Sequence, residues 1–167
     1  MKSTFVRLLS ISMLALLATS PAHASAPSSS FTCESTQSPT FTATATLDDQ
    51  GVLEQLTIDM EGEAQELYSP AVKSEFDVIA HFAKDADVQK YGLLTELLRL
   101  AKPTVAPSYF IVHSLTSPGK GMNLDEIMEY LMDDLSGTLI LEARDQAHNV
   151  LGRSMIVGWG GYFANCR

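Results

Sequence analysis

The segment "PTFTATATLDDQGVLEQLTIDM" (39–60) decides the fold class, because two alternating runs flank a turn within it. In 39–47, threonines occupy one side of the chain and apolar residues the other, which is the period-two pattern of a half-buried strand. The turn "DDQG" (48–51) contains a glycine that can adopt positive φ, and 52–60 alternates again. The segment therefore predicts a β-hairpin.

The rest of the chain predicts helices and further strands around this hairpin. Apolar residues at helical spacing predict helices over 69–86, 93–102 and 123–137. Dense β-favouring runs predict a central strand over 108–115 and a second hairpin over 138–160, which "YFANC" extends. We therefore expect an α+β fold: an antiparallel sheet, built from the N- and C-terminal hairpins plus the central strand, with about three helices packed on one face.

The N-terminal residues have the parts of a secretory signal peptide. Lys2 and Arg7 supply positive charge, a short apolar stretch follows, and "AHA" (22–24) provides small residues at a cleavage point. The apolar stretch is shorter than the roughly 20 residues that span a bilayer, so we expect cleavage and export to the periplasm. The expected organisation is a signal peptide (1–24), a flexible leader (25–32) and a single disulfide-closed domain (33–167).

The two cysteines, Cys33 and Cys166, are predicted to form a disulfide. Exported proteins meet an oxidising environment, in which an even number of cysteines is typical of disulfide bonding. The bond would close a loop containing almost the whole domain, and the chain-entropy model gives such a loop roughly 5 kcal/mol of stabilisation. Neither cysteine belongs to a C-x-x-C motif or a His/Cys cluster, so we predict a structural role.

The chain that remains after signal cleavage is strongly acidic. Loss of Lys2 and Arg7 changes the net charge from −9 to −11 and leaves all 20 acidic side chains. This charge disfavours nucleic acid and anionic lipid and attracts cationic partners, although it could simply keep the protein in solution. We predict a basic protein partner, no nucleic-acid binding and no stable membrane insertion.

None of the catalytic motifs in the sequence is complete. The segment around Ser154 has the Gly-x-Ser half of a nucleophile elbow, but Ile156 replaces the second glycine. "SPGK" (117–120) matches Ser-x-x-Lys without the companion motifs of that enzyme class. His113 and His148 have no partner that the sequence reveals. We predict no catalytic residues and favour a non-enzymatic protein, leaving the question of activity open.

Two patterns resemble metal sites without meeting their requirements. His81 has Asp77 and Asp85 at four-residue spacing on the predicted 69–86 helix, which salt bridging explains better than metal binding. The segment 85–96 has carboxylates at calcium-loop positions, but Lys90 stands where the sharp turn requires glycine. We therefore predict no metal and no cofactor.

Two surface features supply the predicted binding residues. The 123–137 helix carries carboxylates at four-residue spacing, and this ridge could dock onto a basic surface or be an ordinary solvated face. The second feature is a tryptophan between glycines, which could be an aromatic anchor or could cover the core beside the disulfide. The predicted binding residues are Asp125, Glu126, Glu129 and Asp133 on the helix, Lys120 in the glycine-rich 116–121 loop, and Trp159.

These observations favour an exported, non-enzymatic binding protein. An inhibitor or immunity protein that neutralises a cationic toxin or wall-degrading enzyme fits the small size, the acidity and the missing catalytic set. The alternatives are a periplasmic small-molecule or lipid-binding protein, with apolar residues of 70–102 lining a pocket, and a small hydrolase whose site assembles only in three dimensions. The sequence does not predict the oligomeric state.

Overall fold

A computed structural model describes residues 29–69, 71, 77–116, 121–134, 137–158 and 161–167, and of 132–134 it describes the backbone alone. The strands of this part are β1 (Ser29–Ser35), β2 (Phe41–Leu47), β3 (Leu53–Met60), β4 (Glu63–Tyr68), β5 (Asp77–Ala83), β6 (Tyr109–Thr116), β7 (Gly137–Arg144), β8 (Val150–Val157) and β9 (Tyr162–Cys166). The helices are α1 (Asp85–Lys90), α2 (Gly92–Ala101) and α3 (Leu124–Asp134).

All nine strands form one antiparallel sheet in the order β4-β3-β2-β1-β9-β8-β7-β6-β5. The sheet curls into a half-barrel, and strands account for 52% of the structure against 20% for helices. The predicted α+β fold, with three helices packed on one face of a smaller sheet, is therefore wrong. The physical reason is that the curled sheet encloses its own main core, so that a helical layer is not needed to cover it.

The difference arises chiefly in the segment 69–86, for which the apolar spacing predicts a helix. Its residues 77–83 form β5 and pair with β6 from Asp77↔Thr116 to Ala83↔Phe110. A short apolar run fits the helical and the strand period alike, and the available partner strand decides between them. Residues 70 and 72–76 of the same segment lie outside the described part of the chain.

Two further strands are not predicted from the sequence. The strand β4 is one, and its polar sequence "EAQELY" lacks the alternation that predicted β2. The other is β1, which begins at Ser29, inside the range 25–32 assigned to a leader.

The N-terminal hairpin and two of the helices are confirmed. The strands β2 and β3 pair from Phe41↔Met60 to Leu47↔Leu53 around the predicted turn. The bounds of the helices α2 and α3 agree with the predicted ranges 93–102 and 123–137 to within a few residues. The predicted capping box is also present: the Glu126 amide donates to Asn123 Oδ1 at 3.0 Å, and the Asn123 amide donates to Glu126 Oε2 at 2.7 Å.

The interior core shows how strongly the sheet curls. It joins Tyr68 of β4, Phe31 of β1 and Leu115 of β6 in one buried cluster, although six strands separate β4 from β6 in the sheet. Side chains of such distant strands can meet only on the concave side. The strands β3 and β5, near opposite edges, are also in contact.

A second buried cluster lies on the convex side of β6, β7 and β8. It includes Leu139 and Leu141 of β7 together with Leu94 and Leu97 of α2. The end of α2 lies very close to β8, since a Cβ atom at Gly152 would stand 2.2 Å from the carbonyl oxygen of Ala101. This short helix therefore braces the outer side of β8.

The predicted disulfide between Cys33 and Cys166 is confirmed. The two residues face each other on the neighbouring strands β1 and β9, with 3.9 Å between their Cα atoms. The adjacent pair, Thr32 and Arg167, exchanges both backbone hydrogen bonds, so the cysteines occupy a non-hydrogen-bonded pair, where side chains approach closely. The disulfide fastens the N-terminal strands to the C-terminal hairpin at the middle of the sheet.

Candidate functional site

The concave side of the half-barrel contains a cavity of about 670 Å³ that is open to solvent at one end, and Ile58 is the one buried residue among its described lining residues. We call it the interior cavity. Its volume lies within the range of about 300 to 1,000 Å³ that small-molecule sites occupy. Its lining residues are Ile58, Met60, Glu63, Ala64, Gln65, Leu67, Val157, Gly158 and Tyr162. One wall comes from β3 and β4 and the other from the β8–β9 hairpin, and these hairpins are separated in the sheet by β2 and β1.

The pairing of β3 with β4 explains which side chains face this cavity. Met60 pairs with Glu63 and Ile58 pairs with Gln65, and paired residues in an antiparallel sheet share a face. A β-bulge then makes Leu67 an extra residue, so that Leu67 packs against the same interior cluster that buries its neighbour Tyr68. The β4 wall therefore presents polar groups at the mouth and an aliphatic side chain deeper in.

The mouth of the interior cavity is acidic. A neighbouring depression of about 450 Å³ shares Met60 and Glu63 with the cavity and adds Pro39 and Glu61. A third depression, of about 290 Å³, continues from Glu61 to Asp59 and Glu34. Within the described part of the chain, Glu61 and Glu63 form no ion pair, and Glu34 has only a contact at 3.9 Å with Arg167.

This acidity belongs to the whole N-terminal half of the sheet. Residues 29–71 contain eight Asp and Glu residues and no Lys, Arg or His. The eight carboxylates are Glu34, Asp48, Asp49, Glu54, Asp59, Glu61, Glu63 and Glu66. Since the rest of the chain after residue 24 contains 12 acidic and nine basic residues, most of the net charge is concentrated on β1–β4.

The turn between β3 and β4 has an unusual occupant. Its two residues, Glu61 and Gly62, have φ values of 57° and 89°, which is the pattern of a type I′ hairpin turn. Asparagine, aspartate or glycine normally occupies the first of these positions, because positive φ crowds the Cβ of other residues. Glu61 therefore places a carboxylate beside the mouth of the cavity, and its positive φ makes the backbone conformation of this turn less favourable.

The other end of the concave side is occupied by a buried ion cluster. Glu142 of β7 has no exposed side-chain surface. Its Oε2 accepts a hydrogen bond from Arg144 Nε at 2.9 Å, and its Oε1 accepts one from Arg153 Nε at 2.8 Å. Arg153 also lies over the ring of Phe31, with 4.4 Å from its Cζ to the ring centroid. These contacts neutralise the carboxylate and fill this end of the interior.

The pKa of Glu142 reflects a competition between burial and positive charge. Burial alone would raise the pKa of this carboxyl, but His113 and the guanidinium groups of Arg153 and Arg144 lower it to about 2. His113 Nε2 lies 3.7 Å from Glu142 Oε2, a separation too long for a hydrogen bond. Glu142 is therefore ionised at neutral pH.

The ion cluster continues to the surface through aromatic and imidazole groups. Arg144 Nη1 donates to the backbone carbonyl of His148 at 3.1 Å, and His148 Nδ1 makes a short hydrogen bond with Tyr109 Oη. Tyr109 stacks on Phe82, with 5.3 Å between ring centroids, and Phe82 is 60% exposed. Both arginines form ion pairs with Glu142. This end of the concave side is therefore a structural cluster and not an open cationic binding site.

Of the predicted binding residues on α3, two have structural partners. Asp125 accepts hydrogen bonds from Lys90 Nζ at 2.8 Å and from Tyr91 Oη at 2.6 Å, and these contacts lower its pKa. Glu126 belongs to the capping box. Glu129 is exposed. The predicted acidic ridge is thus partly engaged within the molecule. Lys120, Trp159 and the side chain of Asp133 lie outside the described part of the chain.

The residues considered for catalysis or metal binding do not assemble into a catalytic set in the described part of the chain. Ser154 donates its hydroxyl to the Leu97 carbonyl at 2.6 Å, so it ties β8 to α2. His81 lies on β5 with Ser114 Oγ at 3.2 Å from its Nε2, and burial followed by the nearby His113 lowers its pKa. No three His, Cys, Asp and Glu side chains among the described residues are close enough to hold a metal ion.

Sequence reasoning missed both the interior cavity and the ion cluster. A glutamate inside the apolar run "TLILEAR" did carry a signal, because a fully buried carboxylate requires a cationic partner. The cavity had no such signal, since it depends on the curl of the sheet. None of the described helices is both long and apolar enough to cross a bilayer. No protein-family model, no curated protein and no solved structure matches this chain.

Proposed function

We propose that this chain is an exported binding protein whose half-barrel holds an apolar ligand in the interior cavity. The cavity itself is the observation that carries the proposal. It combines a suitable volume with an aliphatic and aromatic lining, notably Ile58, Leu67 and Tyr162, and with only a few polar groups at the mouth. This arrangement favours the small-molecule or lipid-binding alternative over the other functions that the sequence suggests.

Export to the periplasm remains part of the proposal. The signal-peptide pattern over 1–24 and the disulfide between Cys33 and Cys166 support it, because disulfides persist in oxidising compartments.

A fluorescence titration tests whether the interior cavity binds apolar compounds. N-phenyl-1-naphthylamine is uncharged and becomes brightly fluorescent in apolar surroundings, so we expect saturable enhancement with the native protein. Val157→Phe would fill part of the cavity and should abolish or strongly weaken the enhancement. Val105→Phe is the matched control, because Val105 lies away from the cavity and is 60% exposed. Equal binding by both variants, or no saturable binding by the native protein, contradicts the proposal.

A second candidate function is an inhibitor or immunity protein that neutralises a cationic protein. The eight carboxylates of 29–71, a range without basic residues, favour it, because such a surface attracts basic partners over long range. Capture of a stoichiometric, basic partner at low salt that is released at high salt would support this function. An empty capture at both salt concentrations would remove its support and leave ligand binding as the proposal.

A further inference from the structure

We infer that the preferred ligand of the interior cavity is a single-chain amphiphile with a cationic headgroup. This inference rests on the proposed function and specifies the chemistry of the ligand. The apolar part of the ligand would lie against Ile58, Leu67 and Val157, and its headgroup would lie at the mouth beside Glu63. Charge complementarity between the acidic mouth and a cationic headgroup is the reason for naming this class of ligand.

Glu63 lies at the mouth of the cavity, near the start of β4. Glu63 pairs with Met60, so its side chain lies on the concave face, where the nearby strands β3 and β2 place apolar residues. Gln65, two residues later, shares that face. A strand that lines a barrel interior normally presents apolar side chains inward. The reversal at the mouth of β4 makes the cavity amphipathic, which suits a ligand with an apolar body and a polar end.

The charge at the mouth of the cavity is negative. Glu63 is the only charged residue among the described residues that line the cavity, and Glu61 and Asp59 follow along the adjoining depressions. Neither Glu61 nor Glu63 has a cationic partner among the described residues. A headgroup at the mouth therefore meets unneutralised negative charge. An anionic headgroup would be repelled, and a cationic one would be attracted.

The two arginines of the ion cluster do not offset this charge. Arg144 and Arg153 lie at the opposite end of the concave side and are held by Glu142. The two ends of the interior are thus electrostatically distinct, and the cavity opens at the acidic end.

Three amphiphiles that differ only in headgroup test the inference. Decyltrimethylammonium, decyl sulfate and decyl glucoside share one ten-carbon chain, and each is titrated calorimetrically below its critical micelle concentration into protein expressed from the full chain. We expect the trimethylammonium compound to bind at least tenfold more tightly than the sulfate at low salt, with the uncharged glucoside between them. Added salt should narrow the difference between the charged compounds, because it screens exposed charges.

Two variants separate the mouth from the overall charge of the protein. Glu63→Gln should reduce the preference for the cationic compound over the sulfate by about three- to tenfold, and saturable glucoside binding by the same variant shows that the cavity is intact. Glu66→Gln is the matched control: Glu66 lies on the same strand but pairs with Thr57 and contacts Gln55. This control variant should retain the native preference.

The possible results distinguish the inference from the proposed function. Equal affinities for all three compounds, or a preference for the sulfate, would overturn the inference while leaving an apolar binding site. An equal loss in both glutamate variants would also overturn it, because the preference would then follow net charge alone. If no compound binds, the proposed function fails as well.

Discussion

Removal of the buried carboxylate by Glu142→Gln should destabilise the protein by about 3 kcal/mol at pH 7. The variant leaves Arg144 and Arg153 without their counter-charge, and breaking a buried pair in this way costs about 3–5 kcal/mol. The lower end applies, because the arginine side chains remain 20% and 17% exposed. The lowered pKa of Glu142, about 2 against 4.5, has the matching direction, because it shows that the folded protein favours the ionised carboxylate.

The same pKa fixes how this stabilisation depends on pH. The folded-state pKa of Glu142 lies below its unfolded value of 4.5, so the contribution is complete above about pH 5. It is lost as the pH falls from about 4.5 to about 2, where the carboxylate becomes protonated in the folded state. The native protein and Glu142→Gln should therefore differ by about 3 kcal/mol at pH 7 and converge near pH 2.

Urea unfolding at pH 7, 5, 3 and 2 measures this difference. Other acidic groups, such as Asp125, titrate in both proteins and cancel when one curve is subtracted from the other. Glu129→Gln is the control, since Glu129 is exposed on α3 and its loss should change stability by less than about 0.5 kcal/mol. A difference between native protein and Glu142→Gln that stays constant down to pH 2, or that is absent at pH 7, would refute the reasoning.

Three further changes test other parts of the fold. Reduction of the bond between Cys33 and Cys166, which are 133 residues apart, should lower the free energy of unfolding by about 2–5 kcal/mol, as measured by urea unfolding with and without reductant. Gly152→Ala should lower the free energy of unfolding by about 1–3 kcal/mol, because the new Cβ would meet the end of α2. The control Gly92→Ala, whose new Cβ meets open space, should be neutral or slightly stabilising. Equal effects of the two substitutions in urea unfolding would contradict the close approach of α2 to β8. Glu61→Asn should raise stability by up to about 1 kcal/mol in thermal melts, because asparagine tolerates its φ of 57°; a lower melting temperature would show that the turn does not crowd glutamate.

The parts of the fold that could be predicted are those set by local pattern. The alternation in 39–60 encodes its own hairpin, and the capping box at Asn123 marks where α3 begins. The strand β4 could not be predicted, because "EAQELY" has no strand-like alternation and becomes a strand only by pairing with β3. The apolar spacing of β5 also fits a helix, and only its pairing with β6 makes this segment a strand.

The candidate site was less accessible to sequence reasoning than the fold. The i, i+2 spacing of Glu142 and Arg144 on one strand places both side chains on one face, so this pair of the ion cluster could be predicted from the sequence. Arg153 joins them only through the register of β7 with β8. The interior cavity requires the curl of nine strands, which brings Ile58 and Val157 to opposite walls although 99 positions separate them along the chain. No local pattern encodes such an arrangement.

The most direct test of ligand binding inside the half-barrel is a methyl NMR titration with N-phenyl-1-naphthylamine. The methyl groups of Ile58, Met60 and Leu67 lie at the interior cavity, whereas those of Leu94 and Ile127 belong to the cluster on the convex side. Binding in the cavity predicts saturable shifts confined to the first three residues. Shifts that centre on the convex cluster, or no shifts at a saturating concentration of the probe, would contradict the account.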